Sequence, residues 1–339
     1  MKRTLQERIS GIPSSEFETG GLIHADIDRR LKERNGKNLR VFLLGTGIQS
    51  SISPPIHNAL FQILGLNVEY SLLDLEETEF ESAVSAIIDS NDVLGFNVTA
   101  PFKERIIPYI SSMDEVATAV GAVNTVEVQF DPTNETTMKG FNTDVDGVIA
   151  SLERLGVNAS SNRDRIGIGG ENASRRKATL LGAGGAARAG VYALIKFGFN
   201  HIVILNRSQS KSEALARQFR STYQSVEFEI EDLKDSSFRK AVLESRLMIN
   251  AVSEKATLEG LNASFNQTAH PEFALLDLGY KRESMLLRRA RQAGIDSLDG
   301  LLMLAAQAKK SFEIWTGVSP KLSFVETLAR QSVDKIQST

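Results

Sequence analysis

The stretch ATLLGAGGAAR, residues 178–188, decides how this chain is read. Ala178–Leu181 has the apolar, compact character of a short buried strand. It runs without a break into Gly182-Ala183-Gly184-Gly185-Ala186-Ala187, and the apolar pattern then continues as a helix to Phe197, closed by Gly198. The spacing is G-x-G-x-x-A. Glycine lets the backbone turn tightly and approach a pyrophosphate, whose negative charge is favoured at a helix N-terminus. A glycine pattern alone marks no more than a tight turn. Here a strand precedes it, a helix follows, and a second strand comes at His201–Leu205, which is the context a dinucleotide-binding unit requires.

The end of that second strand selects the nucleotide. A chain that binds NAD usually places Asp or Glu there, to accept from the ribose 2′-hydroxyl. This chain reads Asn206-Arg207-Ser208, with Lys211 four positions after Arg207 and no carboxylate before Glu213. A solvated charge pair at the start of a surface helix would look the same. Behind a glycine loop, however, a forked guanidinium and an ammonium suit a 2′-phosphate, so the expected cofactor is NADP.

The rest of the chain narrows the class. With 339 residues there is room for about two domains, by the usual ~150 residues each. The 42% hydrophobic content is enough for a real core, and 24% charged residues is ordinary globular usage. Lys+Arg (39) and Asp+Glu (42) give a net charge of -3, which supplies no general attraction to nucleic acid. Absence of cysteine excludes disulfides, thiolate metal sites and a cysteine nucleophile, and 4 histidines leave little for another metal centre. No apolar run approaches the ~20 residues of a membrane span, and the basic N-terminus has no apolar core behind it. The expectation is a soluble, cytoplasmic protein with a small-molecule substrate, no nucleic-acid or membrane partner and no metal; a homodimer is left open.

Ahead of the glycine loop, strand-like and helix-like segments alternate, as in a mostly parallel sheet. Strands are expected at Val41–Leu44, Val68–Leu73 and Val93–Val98. Ser53-Pro54-Pro55 opens a helix that Gly65 closes, with Ser53 as a candidate cap. Phe80, Val84, Ile87 and Ile88 form a helical stripe, and another helix is expected after Thr99 and Pro101. Ile23, Ile27 and Leu31 suggest a short amphipathic helix near the N-terminus. Residues 157–177 read as a polar surface excursion between domains. Behind the loop, further strands are expected at 226–230, 247–252 and 274–279, then a long helix at Leu301–Trp315.

Four segments of the first half carry polar groups where strands end: GIQSSISPPIHN (47–58), GFNVTAPFKE (95–104), GAVNTV (121–126) and GFNTDVDG (140–147). Ligands of open α/β sheets sit beyond the carboxyl ends of strands. The segments offer hydroxyls, amides, one lysine and aspartates, a mixture suited to a small polyhydroxylated acid. With S-x-S-P-x-I-H-N at Ser51–Asn58, N-V-T-x-P-F-K-E at Asn97–Glu104, G-A-V-N-T, N-T-D, G-A-G-G-A, N-R-S and a G-x-x-M-L-x-x-Q pattern from Gly300 to Gln307, the chain resembles the shikimate/quinate dehydrogenase family from about residue 41 to about 330. The resemblance implies a fold of two α/β domains with a cleft between them. The substrate domain would be 1–146, completed by helices 303–339, and a Rossmann-like NADP-binding domain would be 147–302.

The resemblance also implies roles. Ser51 and Ser53 would bond the substrate carboxylate, and Asn97, Thr99, Asn124, Asp144 and Gln307 the ring hydroxyls, with Tyr280 also at the substrate. Lys103 would hand the proton to and from the reacting oxygen, with Asp144 aligning it. On the cofactor side it gives Glu115, the loop residues Gly182, Ala183, Gly184, Gly185 and Ala186, the strand end Asn206, Arg207, Ser208 and Lys211, and Ala251, Val252, Ser253, Leu278 and Gly300. The implied reaction is NADPH-dependent reduction of 3-dehydroshikimate to shikimate, in the shikimate pathway of aromatic amino acid biosynthesis. Bland readings stand beside these: Asn97 and Asn124 bracing loops, Lys103 as a paired surface lysine, Asp146 as a decoy, and His57 as a core residue inside its helix. The segment GTGIQ before the serines departs from the family's usual glycine-asparagine-proline opening, and Lys281-Arg282 replaces a usual Asn-Pro after Tyr280. Quinate or amino-shikimate thus remain alternative substrates, and a metabolite-sensing regulator of the same fold is the non-enzyme alternative.

Overall fold

The computed structural model describes residues 16–18, 24, 27, 29–31, 38–130, 136–157, 176–252, 265 and 272–337. The 158–175 part of the polar excursion, Ile23 of the N-terminal stripe, and Ser253 lie outside the described residues. The chain divides into two compact units, Met1–Asp146 with Leu304–Thr339, and Gly147–Met303.

In the first unit, β1 (Leu39–Gly45) pairs in parallel with β2 (Val68–Asp74) and β3 (Val93–Val98). Helix α1 (Ser53–Ile63) joins the first two strands and α2 (Phe80–Ile88) precedes the third. The stripe of α2 does what its spacing implies: Phe80, Val84 and Ile87 are buried with Phe96, Val98 and Phe102 in one apolar cluster. Beyond β3 the sheet turns antiparallel. β5 (Thr125–Phe130) pairs antiparallel with β3 and with β6 (Thr136–Phe141), and two-residue β4 (Ser112–Met113) edges the sheet in the order β2-β1-β3-β5-β6-β4. Short α3 (Glu115–Val120) precedes β5, and α4 (Asp144–Arg154) follows β6.

Two expectations need correction. The helix expected after Pro101 is a set of turns ending in a single 3₁₀ turn at Ile107–Tyr109. Pro108 offers no N–H and its ring would collide with the carbonyl of residue 104, so an α-helix cannot run through it. Ser53 is not the cap of α1. It is the first helical residue; Ile52 holds the cap position without a side-chain bond, and the Ser53 N–H donates to Ser51 Oγ at 3.2 Å.

The second unit holds a six-stranded parallel sheet. Its strands are β7 (Lys177–Leu181), β8 (His201–Asn206), β9 (Glu227–Asp232), β10 (Leu247–Asn250), β11 (Ala274–Asp277) and β12 (Asp296–Leu298). They lie in the order β12-β11-β10-β7-β8-β9. That is the doubly wound order, in which the chain reverses direction between β7 and β10. Helices α5 (Gly185–Lys196), α6 (Gln209–Arg220), α7 (Asp235–Glu244) and α8 (Met285–Gln292) connect the strands. α9 (Leu301–Thr316) and α10 (Leu322–Gln337) end the chain. β10 and β11 stop two residues earlier than their apolar runs suggest, at Asn250 and Asp277, whose side-chain oxygens accept from the N–H of Val252 and Gly279. Local side-chain bonds of this kind replace the sheet ladder.

Candidate active site

In the first unit, polar side chains gather beyond the carboxyl ends of the strands. Lys103 lies in the turn after β3, and its carbonyl accepts from Val123 N–H at 2.8 Å, which ties that turn to the segment entering β5. Its Nζ donates to Oδ2 of Asp144, the first residue of α4; the two side chains are 13% and 8% exposed. A carboxylate in the first turn of a helix is favoured by the helix dipole. The other oxygen of Asp144 accepts from Asn124 Nδ2 at 2.9 Å. Asn124 is held in turn, its Oδ1 accepting from the Thr143 N–H at 2.7 Å. Both oxygens of Asp144 are therefore engaged, and its side chain has one orientation. Asp146, two residues on, is exposed and outside this arrangement.

Asn97, near the end of β3, is 4% exposed. Its Nδ2 faces Thr125 Oγ1 at 2.9 Å, Ser311 Oγ at 3.1 Å and the Asn124 carbonyl at 3.2 Å. Its Oδ1 accepts from the Tyr70 hydroxyl at 2.8 Å. An amide nitrogen has two hydrogens and both are committed inward, so Asn97 can reach a ligand only by accepting on the second lone pair of Oδ1. Thr99 packs against β1: a Cβ at Gly45 would fall 2.3 Å from its methyl group, so that strand end admits only glycine. Ser51 and Ser53 lie side by side with their hydroxyl oxygens 3.3 Å apart. Gln307 is buried on α9, its Nε2 donating to the Leu304 carbonyl at 3.1 Å.

The motif pattern did not single out Tyr70 or Ser311, and quoted Thr125 and Thr143 without giving them a role. The hydroxyls of Thr125, Thr143 and Ser311 form a triangle with edges of 2.8 to 3.1 Å, linking Asn97 to Asn124. Ser311 stands one helical turn after Gln307, and that spacing is the only signal by which it could have been found.

His57 is a core residue here. It is fully buried, with its ring stacked on Tyr70 at 4.5 Å and tilted against Trp315 at 5.3 Å. Neither ring nitrogen has a hydrogen-bond partner among the described residues, and burial pushes the imidazole down to about 3.

In the second unit the glycine loop stands at the point where strand order reverses. Gly182 has φ +96°, in the left-handed region, and a Cβ there would lie 3.2 Å from the Ala251 carbonyl at the end of neighbouring β10. A Cβ at Gly184 would meet nothing within 4 Å, so this position faces open space. Gly184 is also the cap of α5, whose N-terminus has no side-chain cap and no acidic residue in its first turn. The loop, with Ala183, Gly185 and Ala186, thus leaves backbone N–H groups available to an anion. Val252 flanks the loop through its Cγ2, 3.3 Å from the Cβ position at Gly182. A Cβ at Gly300 would lie 2.2 Å from the Leu278 carbonyl, so 278 and 300 must touch; Tyr280 follows directly and is half-buried.

At the end of β8, Asn206 Nδ2 donates to the Ser208 carbonyl at 3.0 Å. Arg207 and Lys211 are exposed, and neither has an ion-pair partner among the described residues. The carboxylate alongside, Asp232 at the end of β9, is taken by Gln209 Nε2 at 2.7 Å. The arrangement fits a nucleotide with a phosphate on its ribose. Glu115 opens α3 in the first unit and is exposed. Among the described residues no group of His, Cys, Asp and Glu is close enough to hold a metal ion, and no helix is long and apolar enough to cross a membrane.

Two family models match the chain. One describes a shikimate dehydrogenase substrate binding domain, over residues 43–126, and the other shikimate / quinate 5-dehydrogenase, over residues 167–279. A protein of Caldanaerobacter subterraneus subsp. tengcongensis, named shikimate dehydrogenase (NADP(+)), is 35% identical over 81% of this chain and 90% of its own length. The crystal structure of shikimate dehydrogenase from Aquifex aeolicus aligns with a TM-score of 0.71 and 29% identity, covering 86% of this chain and 98% of that one. The Thermus thermophilus enzyme, solved in complex with shikimate, aligns with a TM-score of 0.69 and 29% identity, covering 87% of this chain and 99% of that one. The fold is that of a two-domain α/β dehydrogenase with a Rossmann-like sheet. The chain belongs to the shikimate/quinate dehydrogenase family.

Proposed function

We propose that this chain is an NADP-dependent shikimate dehydrogenase, interconverting 3-dehydroshikimate and shikimate, with Lys103 and Asp144 handling the proton. The observation that carries the reading is the nearly enclosed Lys103–Asp144 pair, with the second carboxylate oxygen fixed by Asn124. It is joined by relatives named shikimate dehydrogenase (NADP(+)) that match over most of their length. The first unit is the substrate domain in this reading and the second the nucleotide domain.

Bound NADP supplies the hydride chemistry. The residues of the chain bind, orient and move the proton. The paired hydroxyls of Ser51 and Ser53 take the substrate carboxylate, which stays charged throughout. Asn97 accepts from a ring hydroxyl on its remaining lone pair, and Thr99, Asn124, Gln307 and Tyr280 complete the ring contacts. In the reducing direction the substrate ketone becomes an alkoxide and takes a proton from Nζ of Lys103. Asp144 keeps that ammonium aimed at the reacting oxygen, and it retains the neutral amine until a proton returns from solvent. Oxidation runs the same transfers in reverse. Gly182, Ala183, Gly184, Gly185 and Ala186 hold the pyrophosphate in this reading. Asn206, Arg207, Ser208 and Lys211 hold the ribose and its 2′-phosphate, with Ala251, Val252, Leu278 and Gly300 along the nicotinamide side.

The test is substitution of the pair. Positioned acid–base groups contribute roughly 10²–10⁴-fold in rate, so Lys103→Ala should lose kcat by that order while shikimate binding changes by no more than about tenfold. Asp144→Asn should lose rate and also weaken binding, because an acceptor for a hydroxyl is removed. A Lys103→Ala protein with near-normal kcat would remove Lys103 from the proton path.

A further inference from the structure

We propose that Asp74 is a positioning residue for carboxylate recognition: it clamps the loop of residues 46–50 and so sets where Ser51 and Ser53 present their hydroxyls. The inference rests on the reading of those serines given above.

Asp74 is the last residue of β2 and stands in register with Gly45, the last of β1. Both lie at the carboxyl ends of parallel strands, where open sheets bind ligands. The loop leaving β1 is held only lightly by the core. Thr46, Gly47, Gln49 and Ser50 are exposed, and Ile48 alone is buried. Asp74 supplies what the core does not. Its Oδ1 accepts from the Gly47 N–H at 2.6 Å and its Oδ2 from Gln49 Nε2 at 3.0 Å. Gly47 has φ +67°, and in that conformation its N–H meets the carboxylate.

The register then passes along the chain. The Ser51 N–H donates to the Ile48 carbonyl at 2.9 Å, and the Ser53 N–H donates to Ser51 Oγ at 3.2 Å. A second pair of bonds fixes the strand ends: Thr46 Oγ1 to the Leu75 carbonyl at 2.7 Å, and Leu75 N–H to the Gly45 carbonyl at 2.9 Å. Bonds to a charged acceptor are stronger than neutral ones, so among these contacts the Asp74 pair is the dominant restraint. Placing a carboxylate near the site of an anionic substrate works against binding through charge. That repulsion is screened by the water around this exposed loop. Geometry and charge therefore predict opposite effects of removing Asp74.

Steady-state kinetics on wild type, Asp74→Ala, Asp74→Asn and Gln49→Ala separates them. Wild-type oxidation of shikimate with NADP comes first; its failure refutes the proposed function and not the clamp. With that in hand, Asp74→Ala should raise KM for shikimate by about 10- to 150-fold, the range of one charge-assisted hydrogen bond, with kcat within about twofold and KM for NADP unchanged. Asp74→Asn should restore KM to within about threefold, because its Oδ1 still accepts from Gly47 and its amide pairs with a turned Gln49. Gln49→Ala should raise KM by a smaller factor. An unchanged KM in Asp74→Ala, or a KM lowered in both Asp74 variants, would overturn the clamp, as would a fall in kcat alone. If Asp74→Ala does not fold, an unchanged KM in Gln49→Ala overturns it instead.

Discussion

Replacing His57 by phenylalanine should flatten the acid limb of the stability curve of the first unit. The folded imidazole is pushed down to about 3, because burial among Tyr70, Phe312 and Trp315 removes it from water and neither nitrogen has a partner among the described residues. In the unfolded chain histidine titrates near ~6.5. Between these values the unfolded state binds a proton that the folded state refuses, so stability falls as pH drops below ~6.5 and goes on falling toward ~3. At pH 5.0 the unfolded state gains about RT ln(1 + 10^1.5), roughly 2 kcal/mol, and at pH 7.5 almost nothing. His57 therefore costs the fold about 2 kcal/mol between pH 7.5 and pH 5.0. Phenylalanine cannot take the proton. Its larger ring shifts absolute stability through packing, but that shift is common to both pH values and cancels. Carboxyl groups titrate in both proteins and cancel too. The assay is urea unfolding followed by tryptophan fluorescence. Trp315 is the chain's one tryptophan and packs on His57, so the signal reports this unit and not the other. If wild type and His57→Phe lose the same free energy between the two pH values, His57 is not the buried neutral group described here.

Two further outcomes follow from the sites. Ser51→Ala and Ser53→Ala should each raise KM for shikimate far more than they lower kcat, since the carboxylate they bind is unchanged along the reaction; each charge-assisted bond is worth about 1.5–3 kcal/mol. A collapsed kcat at constant KM would place the carboxylate elsewhere. Arg207→Ala should narrow the NADP:NAD ratio of kcat/KM by at least about tenfold, mostly through a higher KM for NADP, with Lys211→Ala weaker because a flexible ammonium is more solvated. An unchanged ratio would remove Arg207 from the 2′-phosphate.

The parts of this molecule legible in its sequence are those whose chemistry is local. The β7–α5 turn is set by Gly182, whose left-handed φ and close approach to the Ala251 carbonyl favour glycine, and the Val93–Val98 strand by a mostly apolar run, broken only at Asn97, that is buried throughout. The hairpin of β5 and β6 is not legible in the same way, because G-A-V-N-T and N-T-D read as strand-end loops. In fact Thr125 already stands in the antiparallel ladder, opposite Phe141. Ser53 as a cap failed for a different reason: the helix starts one residue earlier than the Ser-Pro-Pro pattern suggests, so Ile52 takes the cap position and Ser53, already helical, donates its own N–H to Ser51 Oγ. The triangle of Thr125, Thr143 and Ser311 is non-local, with Ser311 lying 186 positions from Thr125 and 214 from Asn97. Only the folded chain brings such hydroxyls together. The Asp74 clamp spans 27 positions and belongs to the same class.

The most direct test of the central claim is a single steady-state panel on the wild-type protein, crossing shikimate and quinate with NADP and NAD. The account predicts the highest kcat/KM for shikimate with NADP, with NAD poorer by at least about tenfold because Arg207 and Lys211 need the 2′-phosphate to act. Absence of turnover in all four combinations, or a preference for quinate with NAD, would contradict it.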